Sequence, residues 1–96
     1  MAFEDRYDFQ SLVNEAEQLI IEEIARQVPA NPQMCTCSEC ILDVAAYALN
    51  RVPPRYRVSL LDSVYQEPSE RNAYLKEIRR AVREGIIKVR ANPPHD

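Results

Sequence analysis

Cys35-Thr36-Cys37-Ser38-Glu39-Cys40 holds all three cysteines of the chain within six residues, directly ahead of an apolar, helix-like run. Thiols this close can share one thiophilic metal ion, because thiolates supply most of a tetrahedral shell from a single turn of chain. Cys37 and Cys40 have the two-residue separation that places two sulfurs on one ion. Cys35 reaches the same point if the backbone is extended through Thr36. Zinc is the expected ion, with Cys35, Cys37 and Cys40 as its ligands. The local sequence lacks a fourth donor, and His95, the carboxylate of Asp43, a partner chain and water are all open. Cys40 also falls in the first turn of the following helix, where the dipole favours thiolate over thiol. The plainer alternative is three reduced cysteines acting as small buried residues. A redox role for Cys37 and Cys40 is disfavoured, because no strand-then-helix pattern of the thioredoxin kind precedes them.

Three helices are expected to position this cluster. The first spans residues 8–28: Phe9, Leu12, Val13, Ala16, Leu19, Ile20 and Ile24 recur at three- and four-residue spacing, and Asp8 is the expected N-cap. Val28-Pro29 and Asn31-Pro32 end it. Ile21 widens its apolar face, a breadth that suits packing against a second subunit. The second helix runs from Ser38 to Leu49 with Ile41, Val44, Ala45, Ala48 and Leu49 buried, and Asn50 is placed as a left-handed C-terminal residue. Val52-Pro53-Pro54 then extends the backbone. Residues 55–58 are read as briefly extended and Leu60 to Tyr65 as a turn or short strand. Pro68 opens the third helix, which reaches Arg90 with Tyr74, Ile78, Ala81, Val82, Ile86 and Val89 on its apolar face. Gly85 weakens that helix by about 1 kcal/mol relative to alanine.

The chain of 96 residues, 46% hydrophobic with a single glycine, reads as one small domain over residues 1–96, globular and mostly α-helical. Domains of this size often gain stability from a metal or a partner subunit. No apolar run approaches the ~18 residues of a membrane span, and the start MAFEDRYDF has no apolar signal region, so a cytoplasmic location is expected. The net charge of −3 is segregated: residues 1–28 carry seven acids and two bases, whereas residues 69–91 carry three acids and seven bases. This polarity suits self-association or an anionic ligand near the C-terminal part, with an ordinary solvated helix face as the bland reading.

Cys35-Thr36-Cys37-x-x-Cys40-x-x-Asp43, followed by Ala48-Leu49-Asn50-x-x-Pro53-Pro54-x-Tyr56, resembles the late competence protein ComFB family. The similarity is sharpest over residues 35–56 and extends more weakly over most of the chain. It implies a small, largely helical homodimer, packed or intertwined, whose Cys-rich loop binds zinc. It also implies a non-enzymatic receptor for the bacterial second messenger cyclic di-GMP, linked to competence and related signalling.

The chemistry of that ligand can be compared with the residues present. Two phosphates and two guanine faces call for arginines, which fork onto phosphate or guanine and also stack. Arginine outnumbers lysine ten to two. Arg51, Arg55, Tyr56, Arg71, Arg79, Arg80 and Arg83 are the candidate nucleotide contacts, with Tyr65 and Tyr74 interleaved. Arg79 and Arg83 form an RxxxR pair without the D/NxSxxG partner motif of another receptor class. Several have a structural alternative: Arg51 can cap the second helix, Tyr56 and Tyr74 can be core aromatics, and Arg79 and Arg83 can pair with neighbouring glutamates. The expected output is a protein partner, a transcription regulator or another protein. A zinc-stapled dimeric adaptor with no small-molecule ligand is the alternative. Direct nucleic-acid binding is disfavoured by the net negative charge. Enzymatic catalysis is disfavoured by a single histidine and the lack of a phosphate-cradling glycine loop or nucleophile–base pair.

Overall fold

The computed structural model describes residues 2–58 and 67–95. Its main elements are α1 (Glu15–Gln27), α2 (Ser38–Leu49) and α3 (Pro68–Ala91), with two short strands, β1 (Val13–Asn14) and β2 (Tyr56–Arg57). Residues 3–6 and 9–11 form single 3₁₀ turns, and a third follows α1 at Val28–Ala30. The expected turn or strand over Leu60 to Tyr65 lies outside the described residues.

The first helix starts seven residues later than its apolar spacing predicts, and a long-range pairing is the reason. Val13 and Asn14 are extended and pair antiparallel with Arg57 and Tyr56. Asn14 rather than Asp8 caps α1. Its side-chain oxygen accepts from Ala16 N at 3.2 Å and from Arg55 N at 2.9 Å, while Glu15 N donates to the Arg55 carbonyl at 2.8 Å. One asparagine thus satisfies an orphan donor of the helix and a donor of the loop after α2. Phe9, Leu12 and Val13 are therefore exposed, and Phe9 meets the rings of Phe3 and Tyr7 instead of the core.

α2 begins and ends where the residues predict. Cys37 is its N-cap, its sulfur accepting from Cys40 N at 3.5 Å. Asn50 is not left-handed: it continues in right-handed geometry, donating to the Ala46 carbonyl, and the chain is stopped by the prolines that follow. α3 opens on Pro68, whose missing N–H would have been unpaired in any helix.

α3 packs across both other helices, and α1 packs on α2. Ile20, Val44, Ile78, Val82 and Ile86 are almost wholly buried at their common seam. Gly85 has a packing reason. A methyl group there would sit 3.2 Å from a Tyr47 ring carbon and 3.3 Å from both the side chain and the carbonyl of Val44, so α2 and α3 cross closely at this point. Glu23 is buried at the α1–α3 contact. Arg26 at 2.6 Å and Gln27 at 2.7 Å hold its carboxylate, and Gln27 also donates to the Arg79 carbonyl.

Candidate functional site

The extended cap of α2 and the end of α3 bring four donors together. The sulfurs of Cys35, Cys37 and Cys40 and a ring nitrogen of His95 lie within 4.8 Å of one another. His95 Nε2 is 3.5 Å from Cys35 Sγ and 3.2 Å from Cys40 Sγ. A tetrahedral zinc with sulfur at about 2.3 Å holds its thiolates about 3.8 Å apart, so three sulfurs and one imidazole at these separations fit that ion. Of the open fourth donors, His95 is the one at the cluster. Asp43 faces elsewhere, lining a groove with Tyr47, Asn50 and Lys88. Arg90 donates to the Gln33 side chain, which ties the end of α3 to the loop carrying the cysteines.

Cys35 and Cys40 are shifted in opposite directions. A backbone N–H from Cys37, then the thiols of Cys37 and Cys40, holds the Cys35 thiol below the usual range. Burial, followed by hydrogen bonds from Cys37 and Cys35, pushes Cys40 up to about 12. The expectation that the helix dipole favours thiolate at Cys40 is therefore reversed, because desolvation outweighs a partial charge at the helix start. A bound cation would change that order, since it takes thiolates in exchange for protons.

The arginines divide between the flanks of α3. Arg51 and Arg80 line one groove of about 350 Å³ with Pro53, Glu77 and Glu84. Arg55 lines the adjoining groove of about 440 Å³ with Pro54, Glu70 and Tyr74, and the two grooves share Pro53 and Glu77. Two of these guanidiniums lie over aromatic rings. Arg51 sits 3.6 Å above Tyr47 and donates to its carbonyl at 3.3 Å, and Arg55 sits 4.7 Å from the Tyr74 centroid. Tyr74 in turn donates its hydroxyl to the Pro53 carbonyl at 2.7 Å. Burial raises the phenol of Tyr74, against the lowering effect of Arg55, and Glu15 and Glu77 add to the rise.

The other candidates are placed differently. Arg71 bonds Glu15 at 3.1 Å, and Arg57 reaches the same carboxylate at 4.0 Å, so these residues join the starts of α1 and α3. The Arg79 backbone carbonyl accepts from the Gln27 side chain of α1, and Arg79 and Arg83 are both exposed. Tyr56 is exposed on β2. Only Arg51, Arg55 and Arg80 of the candidate nucleotide contacts line the paired grooves.

The model of the late competence development protein ComFB family matches residues 13–93. The chain belongs to that family. The solved structure of the late competence protein ComFB from Bacillus subtilis is similar to it at 26% identity and a TM-score of 0.69, covering 85% of this chain and 91% of that one. No curated protein matches. The ComFB match takes in the three cysteines, the prolines after α2 and all three helices, but it stops before His95 and begins after the aromatic N-terminal turns. No helix among the described residues is long and apolar enough to cross a membrane.

Tyr47, Glu70, Glu77 and Glu84 were not selected by sequence reasoning. The i, i+4 spacing of Tyr47 and Arg51 was the available signal for the stacked pair. The glutamates carry no local signal beyond lying a helical turn or two apart on α3.

Proposed function

We propose that this ComFB-family chain is a non-enzymatic, cytoplasmic receptor for cyclic di-GMP that relays ligand state to a protein partner, with a metal holding its Cys-rich loop in place. The observation that carries the reading is the gathering of Arg51, Arg55 and Arg80 around the Pro53-Pro54 elbow, beside Glu70, Glu77 and Glu84. Stacking holds two of the three guanidiniums in advance of binding, which lowers the ordering cost of capturing phosphate or guanine. The glutamates supply acceptors for the N1 and N2 edge of guanine. The ligand is itself two-fold symmetric, so a homodimer with these faces turned together suits it. Of the starting candidates, Arg51, Arg55 and Arg80 carry the proposed site, and Arg71, with its Glu15 partner, does not.

Isothermal titration with cyclic di-GMP at two salt concentrations tests the reading, with cyclic di-AMP as control. Salt-dependent, guanine-selective heat is expected, weakened by about tenfold or more in Arg80→Ala. A folded, metal-loaded sample that takes up no cyclic di-GMP would refute it. That result would favour the zinc-stapled adaptor, a reading that the four-donor cluster supports without any nucleotide.

A further inference from the structure

The side of α2 away from the arginine grooves faces an apolar groove between α1 and α2, about 400 Å³ in volume. Ile21, Val28, Ile41, Leu42 and Ala45 are among its lining residues, and every lining residue is uncharged. Its lips are two large aliphatic side chains left in water, Ile21 at 56% exposure and Leu42 at 65%. An exposed aliphatic pair over an apolar cleft is a common mark of a protein-binding surface.

Charge selects the occupant. Glu15 is paired with Arg71, Glu23 with Arg26, and Asp43 lines the groove toward α3. Exposed Glu17 and Glu39, however, lie one turn before Ile21 and Leu42 on the same helix faces, so a carboxylate flanks each lip. A second copy meeting the same groove across a two-fold axis would set these carboxylates against their own counterparts. The N-terminal turns of a second copy are also acidic, with Glu4, Asp5 and Asp8 against Arg6. α3 is basic, but its apolar stripe is already in the core, and Ile87 is its large exposed aliphatic residue. A segment that fits must be basic and must bring its own apolar anchors.

We infer that the α1–α2 groove is the docking surface for a basic amphipathic helix of another protein, with aliphatic residues seated between Ile21 and Leu42 and lysine or arginine along the acidic rim. The inference names a surface for the relay in the proposed function and rests on that reading only for its consequence. The docking itself requires no nucleotide.

A fluorescein-labelled helical peptide of leucine and lysine with an amphipathic repeat serves as the probe, and its leucine–glutamate counterpart is the control. Anisotropy with the full, metal-loaded chain is expected to show saturable binding of the lysine peptide only. Ile21→Glu and Leu42→Glu separate docking from general attraction. Each makes the chain more acidic, so simple charge attraction would tighten, whereas groove docking is expected to weaken by about tenfold or more. Both positions are exposed, and circular dichroism of two independent variants guards against misfolding. Absence of saturable binding, equal binding of the glutamate peptide, or unchanged or tighter binding in both variants would overturn the inference. So would a dimer that Ile21→Glu splits into monomers by sedimentation, because the groove would then belong to a second copy. Cyclic di-GMP titration of Ile21→Glu keeps the outcomes distinct: retained nucleotide heat with lost peptide binding shows that the two surfaces are separate.

Discussion

Replacing His95 by alanine removes the donor that lies farthest in sequence from the cysteines, and its expected cost can be worked out. Structural zinc sites bind with about 10–16 kcal/mol at neutral pH, so one ligand of four represents roughly 2.5–4 kcal/mol. At about 1.4 kcal/mol per factor of ten, that is roughly a hundred- to a thousandfold in affinity. Ordering the tail works against this gain, because each fixed residue costs about 1–2 kcal/mol. Here Pro93 and Pro94 directly precede His95 and already have φ fixed, which reduces that cost. A loss of about a hundredfold is therefore expected for His95→Ala, measured by competition with a chromophoric chelator at constant pH. His95→Cys restores a donor at the same place and is expected to recover most of the affinity. An affinity for His95→Ala within about threefold of the parent chain would refute the argument and assign the fourth position to water or a second chain.

Chelation of the loaded protein is expected to lower its melting temperature, since the ion joins the start of α2 to the residues after α3; an unchanged thermal scan would count against a structural ion. Asn14→Ala removes a helix cap worth about 1 kcal/mol and leaves the part-buried Arg55 N–H unpaired for about another 1 kcal/mol. For a domain of this size the midpoint should fall by roughly 10 °C, whereas Asn14→Asp keeps the acceptor and should stay close to the parent. Gly85→Ala gains up to about 1 kcal/mol of helix propensity but presses on the Val44 carbonyl, which belongs to α2 and cannot swing aside. A net loss of about 1 kcal/mol is expected in chemical denaturation, and a gain would mean that α2 and α3 can separate at little cost.

Elements set by local chemistry were readable from the residues. Ser38 and Leu49 bound α2 because a capping residue precedes one and prolines follow the other, and the buried face of α3 follows from 3.6-residue spacing alone. The start of α1 was not readable in this way. Phe9, Leu12 and Val13 satisfy helical spacing, yet Asn14 is held by a backbone N–H 41 positions away, and that pairing has no local signature. The candidate metal cluster was legible at Cys35, Cys37 and Cys40 for the same reason that α2 was. His95 could be no more than one of several donors until the fold carried it across 55 residues to Cys40. The arginines show a further limit. Arg79 and Arg80 are neighbours in sequence, but successive helix positions differ by about 100°, so the groove beside Pro53 takes Arg80 and not Arg79. Residue type announced the chemistry, and the helix wheel, anchored by contacts with α1 and α2, chose which arginines could share it.

The packing of α2 supplies the physical link that a relay would need. Its cap and first turn carry Cys37 and Cys40 of the candidate metal cluster, Ile41 and Leu42 line the apolar groove, and Tyr47 lies beneath Arg51 at the edge of the arginine grooves. Twelve residues at about 1.5 Å each place these features within roughly 18 Å on one rigid rod. Tyr47 occupies the decisive position. One part of the ring stacks under Arg51, and one ring carbon is a near neighbour of Gly85 on α3. An anion drawing Arg51 outward would compete with the ring for the same guanidinium. Any answering shift of the ring would be felt at the closest point of the α2–α3 crossing. A change there cannot be absorbed by compressing Gly85, which has no side chain to yield, so it must be taken up by the ring or by α2 itself. A metal ion held by the four donors would limit the second option by fixing the N-terminal end of α2 to the residues after α3. Such an ion would restrain α2 at one end while Arg51 and Tyr47 would bias it at the other. The apolar groove would then change through the tilt of Ile41 and Leu42 against α1.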